Sequence, residues 1–373
     1  MAFTATPLVG GDAFDMAQRL GLEADRALAS LVDSAEQAAC LRRYWDSIAE
    51  LGWMATAVPE EAGGAGGGLA DLAALVAGAG RGGLPLPVTL ACAVVPALLA
   101  GAGEGRNALL ADVATGRARI CAILPGAASD GTGSALKLAA SGGRLVLDGT
   151  VVGVETPPDP THLLIVCGEA EPVLLLIPAD ARGLAGGRYQ RIDGHLAQDW
   201  TFGGMAVEPT WILARGEEVT RRAEEARDLG ALLTCIEGVS AMGAIIEQTI
   251  DYLSNRVQFG VPLSSFQALR HRVAEMYVEY ENLRGLVGQT LRAASASDCL
   301  PWRDIAFAKL RLGEAGRFVA QEAIQCHGGM GMTEALPAIR LARRVMMAEF
   351  EYGDRTFQAA RLLAEARRCA EAA

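Results

Sequence analysis

The sequence predicts an α+β chain in three regions: helical at the N-terminus, β-rich in the middle, and a bundle of long helices at the C-terminus. Three observations support this. Apolar residues recur at helical spacing up to about residue 115 and again beyond about residue 217. Between those limits, short aliphatic runs alternate with Gly, Pro and Asp turns. With 373 residues, 51% hydrophobic and 21% charged, the chain can bury a large core and is not composed like a disordered one. The regions are placed at 1–115, 116–216 and 217–373.

In the first region LRRYWDSIAELGW (41–53) puts Leu41, Trp45, Ile48 and Leu51 on one helical face. VPEEAGGAGGG (58–68) breaks the pattern, and its glycines suggest a mobile loop. No Lys-Ser/Thr follows and no strand precedes, so it is not a phosphate loop. TLACAVVPALLAGAG (89–103) is shorter than the roughly 20 residues that span a bilayer and reads as a buried helix.

In the second region RLVLDGTVVGV (144–154) alternates like two strands joined at Asp148-Gly149, a hairpin signal. THLLIVC (161–167) and EPVLLLIPAD (171–180) read as buried strands. In the third, residues 220–256 form a long helix in which Gly238 and Gly243 would admit a neighbouring backbone. A second helix starts after Pro262 and Ser264, which offer capping chemistry. A third runs from Pro301 to His327 and stops at Gly328. A fourth starts near Glu334 and carries EFEYGDRT (349–356). Four long helices suggest an antiparallel bundle.

The net charge of -11 argues against nucleic acid or an anionic membrane as the main partner. The eight cysteines form no CxxC and read as reduced core thiols, which suits a cytoplasmic setting. The N-terminus lacks the features of a signal peptide. The four histidines are scattered, so no metal site and no Ser-His-Asp arrangement is expected, and chemistry would fall to a bound cofactor. Two stretches suit a ligand. RVQFGVPLSSFQALRHRVAEM (256–276) offers an arginine, an aromatic face and a helix start, a combination suited to a phosphate. A plain helix corner would look the same. QCHGGMGMTEALP (325–337) offers bare glycine backbone beside an amide, which a plain helix stop also would.

In this order and spacing these stretches resemble the acyl-CoA dehydrogenase family. That family carries Arg-x-x-Phe-Gly, then a helix with Phe-Gln, then Gln-x-x-Gly-Gly-x-Gly. LRRYWDSIAELGWMATAVPEEAGGAGG is similar to the family's N-terminal segment, so the resemblance covers essentially the whole chain. It implies a helical N-terminal domain, a middle β-barrel or sandwich, and a C-terminal four-helix bundle. It also implies FAD held between β-domain and bundle and completed by a neighbouring subunit. Arg256 and Phe259 would then meet the FAD pyrophosphate and adenosine, and Gln325, Gly328 and Gly329 the adenine end. Gln267 would join the same interface, and Ser129 would contact substrate or flavin. The implied reaction is α,β-dehydrogenation of an acyl-CoA thioester, with electron-transfer flavoprotein as acceptor and a carboxylate as base.

The base is where the chain departs from the family. Counting on from Gly328 to the Glu of the family's Tyr-Glu-Gly-Thr motif lands on Tyr352. Counting back from Arg256 to the alternative base position lands on Gly230, with Asp228 and Glu237 nearby but out of phase. Glu351 is the nearby candidate. On a continuous helix it would point away from the base direction, as a solvated or salt-bridged residue. Ile123 stands where the family has a flavin-bonding Thr, and Gly153-Val154-Glu155 where it has Trp-Ile-Thr. The expectation is a subunit without a base that shares an FAD site with a homologous partner. The alternatives are a self-sufficient homo-oligomer using Glu351, another flavin enzyme on this fold, or a partner subunit that binds no flavin.

Overall fold

The computed structural model describes residues 3–100, 104–125, 136–168 and 171–371. The N-terminal helices are α1 (Asp12–Ala29), α2 (Ser34–Glu50), α3 (Leu69–Gly82), α4 (Val95–Leu99, entered through a wider π turn at Leu90–Val94) and α5 (Glu104–Ala114). Asp33 caps α2 by accepting from the amides of Ala35 and Glu36 at 2.8 and 3.0 Å. Leu41, Trp45 and Ile48 are buried, whereas Leu51 lies past the helix end and is exposed. Glycines let α1 and α3 touch backbone to backbone: a Cβ on Gly78 would come 2.3 Å from the Phe14 carbonyl. Within 58–68, Gly64 and Gly67 serve the same purpose, whereas Gly63 and Gly66 take left-handed backbone (φ 82 and 60). The segment is stitched by backbone hydrogen bonds such as Gly66 to Val58, and a Cβ on Gly64 would meet the Val58 carbonyl at 2.0 Å. Close packing accounts for Gly64 and Gly67.

The middle region is a sandwich of two four-stranded sheets. One has the order β1 (Ile120–Ile123), β4 (His162–Cys167), β5 (Val173–Pro178), β8 (Ile212–Arg215). The other is antiparallel, in the order β2 (Lys137–Ser141), β3 (Arg144–Glu155), β7 (Leu196–Ala206), β6 (Leu184–Gln190). Leu147, Leu163, Ile165, Leu175, Trp200 and Phe202 fill the space between them. The expected hairpin at Asp148-Gly149 is absent. β3 is one strand, and the Asp-Gly pair sits in a register shift against β7. Asp148 accepts from the Gly204 amide there instead of closing a turn.

The C-terminal helices are α6 (Glu217–Asn255), α7 (Gln267–Ser295), α8 (Trp302–His327), α9 (Pro337–Ala348) and α10 (Arg355–Glu371). A short hairpin, β9 (Val257–Gln258) with β10 (Val261–Pro262), joins α6 to α7. α7 has no side-chain cap, because Phe266 stands at its N-cap position and Ser264 lies before it in the short turn Leu263–Ser265. α6 is the central element and packs against α3, α7, α8 and α9. It is long and apolar enough to cross a membrane, but 94% of its apolar window is buried inside the protein. Gly238 and Gly243 admit side chains where a backbone was expected: a Cβ on Gly238 would meet the Leu312 side chain at 2.5 Å and one on Gly243 the Arg81 side chain at 3.1 Å. The expected fourth helix is two helices, α9 and α10, separated by a turn.

Candidate functional site

That turn contains EFEYGD. α9 stops because the fully buried Lys309 reaches across from α8. Its Nζ donates to the carbonyls of Ala348 at 2.6 Å, which also takes a long bond from the Glu351 amide, and Glu349 at 3.2 Å. Tyr352 (φ 53) and Gly353 (φ 96) then take left-handed conformations that reverse the chain. Asp354 opens α10 by accepting from the Phe357 amide at 2.8 Å. Glu351 and Tyr352 are therefore not neighbours on a helix, and the expected helical rotation between them does not apply.

Both positions counted from the family motifs come together. Tyr352 lies with its ring against bare Gly230 on α6, where a Cβ would stand 2.6 Å from Cδ1 of the ring. Tyr352 is 8% exposed, and burial together with the nearby Glu155 and Glu351 carboxylates raises its phenol well above the ordinary range. It stays neutral and offers no base.

Glu351 is not solvated. Arg344 of α9 meets its two oxygens at 2.6 and 2.8 Å, and Arg191, in the β6–β7 turn, adds a bond at 2.8 Å. Arg344 also grips Glu237 of α6 at 2.6 and 2.9 Å, and Asp193 at 3.2 Å. Arg191 grips Asp193 at 3.1 and 2.7 Å, and His195 Nδ1 lies 2.8 Å from Glu155 of β3. Burial alone would push the Glu351 carboxyl up; Arg344 and Arg191 outweigh it and hold the carboxyl well below the usual range. A carboxylate so paired is a weak proton acceptor. The network instead ties sheet residues to the bundle. Beside it opens a cavity of about 360 Å³ lined by Leu28, Leu84, Pro85, Arg191, His195 and Arg344 among others. Sequence reasoning missed Arg191, Asp193, His195 and Arg344, and met Glu237 only as a carboxylate out of phase with the alternative base position. The one available signal was Glu237 standing inside the apolar stretch LLTCIEGVS.

The remaining expected site residues gather at one end of the bundle. Arg256 ends α6, and its guanidinium has no hydrogen bond or ion pair among the described residues. Phe259, at the tip of the β9–β10 hairpin, is 90% exposed with φ 55 and packs edge-on against Phe266. Gln267 is exposed and lies 3.4 Å from His271 Nε2. The rings of Tyr252 and His327 stack 4.5 Å apart and bring the end of α8 alongside. Gln325, Gly328 and Gly329 are exposed there, and a Cβ on either glycine would meet nothing within 4 Å. Ser129 lies outside the described residues. Among the described residues no three His, Cys, Asp or Glu side chains are grouped to hold a metal.

Comparison with known proteins gives this geometry its setting. Residues 16–117 match the acyl-CoA dehydrogenase N-terminal domain, and residues 220–371 match the acyl-CoA dehydrogenase C-terminal domain. The acyl-CoA dehydrogenase IpdE2 of Mycobacterium tuberculosis is 31% identical over 297 residues, 78% of this chain and 76% of that protein. The ChsE4-ChsE5 complex of the same organism superposes with a TM-score of 0.79 at 24% identity, over 97% of this chain and 99% of the other. A steroid ACAD, Tcur3481-Tcur3483, gives 0.77 at 24% identity, over 96% and 98%. At that identity the two structures speak for the fold alone. Family domains at both ends, together with a relative this similar over most of its length, show that the chain belongs to the acyl-CoA dehydrogenase family of FAD-dependent enzymes.

Proposed function

We propose that this chain is the subunit of a heteromeric acyl-CoA dehydrogenase that lacks the base and contributes to a shared FAD site. The observation that carries the reading is the Tyr352 ring packed on Gly230. Both positions where the resemblance puts a base lack a carboxylate, and the adjacent Glu351 is saturated by Arg344 and Arg191. A homologous partner would supply the base. The bundle end fits the adenosine and diphosphate half of FAD. Arg256 offers a guanidinium unpaired among the described residues, Phe259 an exposed ring, and Gly328 and Gly329 backbone with open space beside it. Gln325 and Gln267 flank that surface. When bound, FAD supplies the hydride acceptor; this chain's residues hold and orient it. Two of the superposing structures are a complex and a steroid ACAD. Those names favour a paired assembly acting on a bulky acyl-CoA here, and electron-transfer flavoprotein as acceptor rests on the family resemblance alone.

The test is the visible spectrum of the chain purified alone and after assembly with a homologous partner, each titrated anaerobically with acyl-CoAs. The reading expects no substrate bleaching in the chain alone, and bleaching in the assembly that survives Glu351→Gln. Bleaching in the chain alone, lost in Glu351→Gln, would establish a self-sufficient enzyme instead.

A further inference from the structure

Prolines stiffen the connection between β3 and β4. Pro157, Pro158 and Pro160 bracket Asp159, and the first two are buried. Asp159 takes a left-handed backbone (φ 43), which a residue with a side chain keeps only where its surroundings hold it. The start of β1 does the holding. The Thr161 amide donates to the Arg119 carbonyl at 2.7 Å, and the Arg119 amide donates to Thr161 Oγ1 at 3.0 Å.

Three guanidiniums from three elements converge on this one residue. Arg188 of β6 meets the Asp159 carboxylate at Oδ1, 2.7 Å away, and Arg42 of α2 meets it at Oδ2. Arg119, just before β1, reaches only the Asp159 carbonyl, to which its Nε donates at 2.7 Å. One carboxylate thus answers two arginines, and the third is held by a group without a full charge. Burial and the Arg42 charge lower the Arg119 pKa, while Asp46 of α2 raises it without forming an ion pair among the described residues. Three positive charges here face two negative ones. The other acids at this end of the strands are engaged elsewhere: Asp112 pairs with Arg117 at 2.6 Å, and Asp180 acts on His162. The cluster is open to a ligand, because Arg42 and Arg188 keep 40% and 37% of their side chains exposed and Arg119 is half-buried. It is a positive spot on a chain whose net charge is -11.

We propose that Arg42, Arg119 and Arg188 form a site for a phosphoryl group at the junction of α2 with β1 and β6. A tetrahedral dianion turns oxygens toward several guanidiniums at once, whereas a planar carboxylate offers two in one plane, the place Asp159 already takes. A ligand there ties the N-terminal helices to both sheets. The site does not depend on the functional reading above. It lies at the start of β1, the end away from Pro125, and shares no residue with the Arg344 network or the Arg256 surface.

The experiment is a titration of the full chain, in the assembly in which it purifies, with inorganic phosphate and separately with glycerol 3-phosphate. Ionic strength is held constant with chloride, and thermal melting, calorimetry and hydrogen exchange are recorded. The site predicts saturable stabilisation by at least one of the two, with slower exchange over residues 159–162. Binding of the ester marks a site for phosphorylated metabolites; binding of inorganic phosphate alone marks a site for the free ion. Arg119→Gln and Arg188→Gln should each weaken that binding about tenfold, the size of a charge-assisted hydrogen bond. Arg256→Gln should leave it unchanged, which separates this site from the surface proposed for FAD. Phosphate and ester acting no differently from chloride would overturn the proposal. So would binding that a folded Arg119→Gln or Arg188→Gln variant retains in full, or that Arg256→Gln abolishes.

Discussion

The ring of Tyr352 lies on Gly230 so closely that a Cβ on the glycine would stand 2.6 Å from the ring. One residue comes from a turn between helices, the other from the middle of the longest helix. Each needs the other: the ring fills the space the missing side chain leaves. Gly230→Ala should therefore destabilise the chain by about 1–3 kcal/mol through overpacking, despite alanine's better helix propensity. In a Tyr352→Ala background the same change should be neutral or stabilising. A double-mutant cycle from denaturant melts measures the coupling, and additive effects would contradict the packing argument.

Arg344 is the hub of the buried charge network. Arg344→Met removes partners from Glu237, Glu351 and Asp193 together. Stranding buried carboxylates costs about 3–5 kcal/mol, so the variant should melt far below the parent. Glu351→Gln keeps the shape and some of the hydrogen bonds and should cost less. An Arg344→Met protein as stable as the parent would show that the network is not holding the junction.

The pH dependence follows from Glu351. Its pKa is depressed in the folded state, so below the unfolded value of about 4.5 the unfolded chain takes up the proton first. The stability Glu351 contributes is fully present above that pH and is lost as pH falls toward the folded pKa. Urea melts between roughly pH 3 and 6 should show stability declining below about pH 4.5. The decline should be shallower in Glu351→Gln.

Lys309 is the reason EFEYGD is a turn. Burial lowers its pKa, and its Nζ hydrogen bonds to Ala348 and Glu349 hold the end of α9. Lys309→Met should leave the Glu349 carbonyl unpaired and the Ala348 carbonyl with only its long bond from the Glu351 amide, at a cost of about 1–3 kcal/mol. Hydrogen exchange should then quicken across residues 349–358, where the Glu351 and Gln358 amides are now bonded locally. Unchanged exchange there would mean that the turn holds without the lysine.

Part of this site was legible because its signals are local. Arg256, Phe259, Gln325 and Gly328 stand in short motifs whose spacing alone singles them out, and the structure places them at one end of the bundle. The hairpin at Asp148-Gly149 misled because an Asp-Gly pair suits a bulge as well as a turn; the choice lay with β7 across the sheet. The turn at 349–354 was hidden for a similar reason. What stops α9 is a lysine 39 residues away in sequence, which no local pattern reveals.

The sequence by itself determined the three-region order, the long bundle helices and the absence of a carboxylate at the counted base positions. These follow from periodicity, glycine placement and residue identity, which are properties of the chain read along its length. Only the tertiary structure decided what Glu351 does. Its partners Arg191 and Arg344 lie 160 and 7 residues away, one in a sheet turn and one in a helix. Whether a carboxylate is a base or half of an ion pair depends on the charges within a few ångströms and on how much water is excluded, and folding sets both.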